Sequence, residues 1–213
     1  MEELDNDKKV NQHTVDAAQE ILDKMNTSLQ KKDYEKLKAL SHQYVLSYPN
    51  VLTGWSYLSL ATFELKEYKK CIEHSYKLFD LQHDGARRNS QKIYLNIASC
   101  YYHLNEKSEA LNVLIDAFFN DHNVHNMNQK PEALFFLTGF VLNELHPSKG
   151  KVFPIKNFNE QENDENVKFL VKLNSSRTIH KNPEVVKSIH KMRNNFNDKE
   201  EIHNFLDILD RLL

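Results

Sequence analysis

The stretch LTGWSYLSLATFELKEYKKCIEHSYKLFDL, residues 52–81, decides how the rest of the chain is read. Its apolar residues fall at helical spacing on both sides of a short break around Lys66, which predicts two short helices joined by a tight turn. Related stretches lie before and after it. Tyr34 and Tyr68 stand 34 residues apart, and at the same offset Leu29 pairs with Phe63, Leu37 with Cys71 and Ser41 with Ser75. A third copy follows an insertion around Gly85-Ala86-Arg87-Arg88-Asn89, which lengthens the offset to 39. Trp55 then matches Tyr94, Leu58 matches Ile97, Ala61 matches Cys100, Phe63 matches Tyr102 and Cys71 matches Ala110. A period in the mid-thirties made of two helices is the sequence mark of a helical solenoid.

These residues resemble the tetratricopeptide repeat family. Trp55, Leu58, Ala61, Tyr68, Cys71 and Ile72 fit its pattern in the central copy, and Tyr94, Ile97, Ala98, Tyr101, Ala110, Leu111 and Ala117 fit in the third. In the first copy Ile21, Tyr34, Leu37 and Pro49 fit, while Lys24 and Lys38 stand where apolar residues are usual. The Gly customary in the turn is replaced by Lys32, Lys66 and Asn105. The resemblance spans roughly residues 18–120 and implies an all-α fold, a short right-handed α-α superhelix. In such a fold each helix pair has an apolar face that only a stacked neighbour can bury. Small residues such as Ala61, Cys71, Cys100 and Ala110 let paired helices approach, and aromatics such as Trp55, Tyr68, Tyr94 and Tyr101 fill the spaces between pairs.

Composition is consistent with helices. The chain has 213 residues, only four Gly and five Pro, and a formal charge of −2 with acids and bases interspersed. That balance favours neither nucleic acid nor an anionic membrane surface as partner. No apolar run approaches the roughly 18 residues of a membrane helix. MEELDNDKKVNQ is polar and acidic, unlike a signal peptide, and Cys71 and Cys100 sit inside apolar helical patterns. The expectation is a cytoplasmic or nuclear protein with reduced core cysteines.

The expected organisation runs as follows along the chain. Residues 1–12 form a flexible N-terminus, disordered or a frayed helix start, and a helix begins near Thr14. Residues 13–145 hold the repeats, at about 18–51, 52–85 and 91–124, with a partial fourth at 131–145 opened by Pro131-Glu132. Residues 146–165, with Pro147, Gly150 and Pro154, read as a linker or long loop pinned by Val152-Phe153 and Ile155. Residues 166–213 form C-terminal capping helices that pack on the solenoid. Asn182-Pro183-Glu184 opens one of them, and Asp198 with Glu201 forms a capping box ahead of the apolar stripe Ile202, Phe205, Leu206, Leu209, Leu212 and Leu213.

No catalytic constellation stands out. There is no Gly-rich phosphate loop and no G-x-S-x-G. His122 and His125 have a spacing that zinc could use but lie in an Asn-rich loop with no Cys nearby, so they read as solvated histidines. Arg87-Arg88 with Lys92 is the most basic spot and reads as a surface loop. No metal, cofactor or catalytic residue is expected. An enzyme using scattered His and Glu is the least supported reading.

The resemblance implies instead a concave face lined by the first helix of each pair. Carried over position by position, it presents Asn26 and Gln30 from the first copy, Ser56, Tyr57, Leu60, Phe63 and Glu64 from the second, and Lys92, Asn96, Ser99, Tyr102 and His103 from the third. The residues expected to bind a partner are Asn26, Tyr57, Leu60, Phe63, Lys92, Asn96, Tyr102 and His103. Tyr, Asn and Lys there can hold a peptide or helical segment of another protein. Alternatively, Leu60, Phe63 and Tyr102 are packing residues or are covered by the chain's own tail. The subgroup that clamps chaperone C-termini is a poor match: Asn26 and Lys92 fit, whereas Leu22, Tyr57 and Asn96 do not. The expectation is therefore a non-catalytic adaptor or scaffold, with assembly through the last amphipathic helix as the alternative. Replacing Tyr57 and Tyr102 by Ala is expected to weaken binding with little change in melting temperature.

Overall fold

The computed structural model describes residues 2–82, 90–123, 132–145, 153, 165–176, 178–195 and 198–213. Among them every regular element is helical. By compactness the chain divides into two units, Met1–Arg87 and Arg88–Leu213.

The first unit holds α1 (Glu2–Gln30), α2 (Tyr34–Ser47), α3 (Leu52–Glu64) and α4 (Tyr68–Leu81), each packed on the next. Helix α1 begins at Glu2, ahead of the expected start near Thr14. No Pro or Gly interrupts the backbone ladder between Glu2 and Gln30. One buried cluster of this unit is Met25, Leu37, Tyr44 and Ala61, with Ile21, Leu22, Leu29, Tyr34 and Tyr57 packed against it, and Leu58, Cys71 and Leu78 are buried as well. Leu37 is fully buried, a burial that contributes about 1.5–3 kcal/mol.

The second unit holds α5 (Ser90–His103), α6 (Lys107–Asn123), α7 (Glu132–Leu145), α8 (Glu165–Ser175), a 3₁₀ turn (Ile179–Lys181), α9 (Pro183–Asn194) and α10 (Lys199–Leu212). From α5 to α8 each helix packs on the next, α9 packs on α6, and α10 packs on α9. Its core includes Ile97, Leu111, Leu114, Ile115, Phe118, Leu134 and Phe140. The helix expected to open at Pro131-Glu132 is α7.

The three helix pairs close in the same way. Lys32, Lys66 and Asn105 all have positive φ, at 54°, 62° and 61°. In each turn the left-handed residue's N–H donates three residues back, Lys32 to Leu29, Lys66 to Phe63 and Asn105 to Tyr102. The next N–H donates five residues back, Asp33 to Ser28, Glu67 to Thr62 and Glu106 to Tyr101. This is the Schellman arrangement, which satisfies the last carbonyls of the first helix. The residue that ends it also starts the second helix. The carbonyls of Asp33, Glu67 and Glu106 accept from the N–H groups of Leu37, Cys71 and Ala110. Three acidic residues thus occupy one structural position, where a negative charge complements the N-terminal end of the helix dipole.

Small residues set the helix spacing, as expected. Ala61, Cys71, Cys100 and Ala110 are fully buried, and both cysteines are free thiols. Gly54 marks a close approach of α2 and α3. A Cβ there would lie 2.7 Å from Tyr44 Cδ1 and 2.8 Å from Val45 Cγ1. Lys38 stands where the repeat pattern wants an apolar residue and instead reaches to Glu67 at 2.9 Å and Glu35 at 2.9 Å. Its ammonium tethers α2 to the turn of the following pair.

In the tail, Asn182 caps α9 by accepting from Glu184 N–H at 2.8 Å, with Pro183 in the first turn. Asp198 caps α10 by accepting from Glu200 N–H at 2.9 Å. The expected reciprocal half of that capping box does not form. Asp198 N–H is already donated to the Asn195 carbonyl, and Glu201 turns to Lys191 at 3.5 Å. The stripe Ile202, Phe205 and Leu209 is buried. The expected linker at 146–165 and the basic pair Arg87-Arg88 lie outside the described residues, apart from Phe153 and Glu165.

Candidate functional site

In the first unit the expected partner-binding residues lie on α1 and α3. Tyr57 Oη donates to Asn26 Oδ1 at 2.5 Å, joining the first helices of successive pairs. The Tyr57 ring is half-buried against the core, whereas Asn26 and Ser56 are exposed. Leu60 and Phe63 are half-buried, and Phe63 meets Tyr68 edge-on at 5.8 Å between ring centres. Tyr57 is therefore both a surface residue and a packing residue, with its hydroxyl engaged by Asn26.

In the second unit the expected residues lie on α5. Lys92 and His103 are exposed, and Asn96 and Tyr102 are half-buried. Ser99, expected on the same face, is 3% exposed and belongs to the interior. Tyr102 lies against two other rings, Phe140 of α7 at 6.0 Å and Phe153 at 5.4 Å, both edge-on. Phe140 and Phe153 also meet edge-on, at 5.5 Å. Asn143, one turn beyond Phe140, donates its Nδ2–H to the Phe153 carbonyl at 2.7 Å. Phe153 is fully buried and Asn143 nearly so. A residue from outside the helical elements thus occupies a three-sided aromatic and amide pocket on the face expected to receive a partner.

Sequence reasoning reached parts of this pocket without assembling it. Tyr102 is named by the repeat register, and Val152-Phe153 by its apolarity inside a polar segment. Phe140 and Asn143 carry no pattern that tells a pocket wall from a core residue. The available signal is Asn143 itself, a buried amide on an otherwise apolar helix that needs a hydrogen-bond partner.

The charged groups of the first unit hold structure. Hydrogen bonding to Lys38, and next to Lys70, lowers the Glu67 carboxyl below its ordinary value, while bonds to Glu67 and Glu35 raise Lys38. Burial raises the Tyr44 phenol. Burial also lowers the His74 imidazole, which sits 3.4 Å from Thr62 Oγ1 and 6.0 Å from the centre of the Trp55 ring.

A second concavity, of about 630 Å³, lies between α9 and α10. Ion pairs bridge its two ends, Glu184 to Arg211 at 3.0 Å and Lys191 to Glu201 at 3.5 Å. The apolar stripe of α10 faces away from solvent, leaving Leu212 as its exposed member. Among the described residues, no group of three or more His, Cys, Asp or Glu is placed to hold a metal ion. His125 and the side chain of His122 lie outside those residues. No described helix is long and apolar enough to cross a membrane.

No family model, curated protein or solved structure matches the chain.

Proposed function

We propose that the chain is a non-catalytic interaction module. Its helix pairs act as tetratricopeptide-like repeats, coiled in that family's right-handed sense, and hold a peptide or subunit of another protein within a larger assembly. The observation that carries this reading is the shared turn. Positive φ and the same two hydrogen bonds recur at Lys32, Lys66 and Asn105, at the offsets of 34 and 39 residues that align the rest of the pattern. Repeated pairs of this kind present the side chains of their first helices to partners, and Asn26, Lys92 and His103 are exposed on those helices. The alternative, assembly through the last helix, gains less support because the stripe it would use is largely buried on α9.

The test is gentle affinity purification of the full chain followed by mass spectrometry, with Lys92→Glu and His103→Ala compared with wild type. A defined partner should co-purify and be depleted by the substitutions without a fall in melting temperature. Absence of any partner counts against the module, and retention by both variants moves the interface elsewhere. Tyr57→Ala with Tyr102→Ala is the poorer probe, because both rings pack against the interior and their loss should lower the melting temperature too.

A further inference from the structure

We infer that the pocket formed by Tyr102, Phe140 and Asn143 is a docking site for an extended peptide anchored by phenylalanine, held in this chain by its own Phe153. The inference deepens the proposed function by naming the class of partner and the place it binds.

Three observations carry it. First, the ring of Phe153 is fully buried and makes T-shaped contacts with two aromatic rings, the geometry that discriminates an aromatic anchor from an aliphatic one. Second, Asn143 donates to the backbone carbonyl of Phe153, a group that every residue carries. An amide that grips backbone accepts any chain presenting a phenylalanine in the same pose. Third, the sequence dictates that pose. Phe153 precedes Pro154, so its backbone is biased to extended conformations, and a carbonyl in extended chain is free to accept from Asn143. The wall residue Tyr102 lies on α5, a first helix of the repeat pattern and the element expected to meet partners. A tethered anchor competes with a free one at an effective concentration on the order of millimolar, so the wild-type pocket admits only a tighter or more abundant peptide.

The experiment uses the full chain and a labelled nine-residue peptide of its own sequence, Lys149–Asn157, read by fluorescence anisotropy. Phe153→Ala should bind the peptide saturably, and wild type at least about tenfold more weakly because its own anchor competes. Binding should also raise the melting temperature of Phe153→Ala. The same peptide with Phe replaced by Ala should bind neither protein, and adding Asn143→Leu to Phe153→Ala should cost about tenfold in affinity, the worth of one backbone hydrogen bond. The inference falls if Phe153→Ala, folded by circular dichroism, binds nothing or binds the alanine peptide equally well. Should Phe153→Ala fail to fold, Phe153→Leu keeps most of the apolar burial and enters the same titration with the same outcomes. The titration needs no cellular partner. Peptide binding without any co-purifying protein would retain this site and remove the proposed function, and the converse would remove this site alone.

Discussion

The two units handle the same first-helix face differently. In the first, Tyr57 of α3 is secured by Asn26 of α1, the matching helix of the preceding pair. In the second, Tyr102 of α5 meets Phe153, which belongs to no helix. The difference follows from the sequence around each. Where the 34-residue register continues, the neighbouring pair supplies the contact. After α7 the sequence with Pro147, Gly150 and Pro154 no longer carries the pattern of a second helix, and Phe153 covers one side of the half-buried Tyr102 instead. Covering an apolar face is obligatory, but supplying the cover from the next repeat is not.

Position 54 and its counterpart at 93 sharpen that contrast, because they differ most in size. Gly54 sits against Tyr44 and Val45, whereas Ile93 is 7% exposed and fills its site. Ile93→Ala should therefore cost about 2–5 kcal/mol through lost burial and a residual cavity. Gly54→Ala adds a methyl group to filled space and should cost about 1–3 kcal/mol, partly offset by the roughly 1 kcal/mol that alanine gains over glycine in a helix. Urea denaturation measures both. A stabilised Gly54→Ala would show that Tyr44 and Val45 can move aside, and would remove close approach as the reason for the glycine.

The helices were legible because periodicity is local. Tyr34, Tyr68 and the Trp55–Tyr94 pair set the register, and α2 through α7 appear near the expected positions. The turns were legible only as departures: Lys32, Lys66 and Asn105 stood where Gly is customary, and each proves to hold the left-handed conformation that Gly serves. The start of α1 is less legible, because the polar first residues lack the apolar spacing that marks a packed helix, although nothing in them forbids one. The Phe153 pocket was largely hidden. Its walls come from α5 and α7, its occupant is a residue with no periodicity, and no pattern along one chain connects such positions.

The turns also offer a smaller test of the likeness between units. A lysine with positive φ carries a steric cost of roughly 1–2 kcal/mol, which asparagine reduces through its short polar side chain. Glycine removes the strain but loses more entropy on folding. Lys32→Gly and Lys66→Gly should each stabilise by up to about 1 kcal/mol, and Asn105→Gly should be close to neutral. Equal gains at all three positions in thermal denaturation would mean that the asparagine is as strained as the lysines.

The smallest effect expected is a pH dependence confined to the first unit. Burial is the main cause that lowers the His74 pKa from its ordinary 6.5, opposed by the Glu73 carboxylate and helped by His42 and Lys70. In the unfolded chain the ring takes up a proton near 6.5, and in the folded chain only at lower pH. Between those values the unfolded state binds more protons, so stability is intact above 6.5 and falls as pH drops through the folded-state pKa. Glu67 acts in the same direction but lower, below its ordinary 4.5, so the two windows separate. Denaturation midpoints taken from about pH 7.5 to about pH 5 should decline for wild type and flatten for His74→Gln. An unchanged slope in that variant would assign the decline to another group and leave the buried imidazole as a packing residue alone.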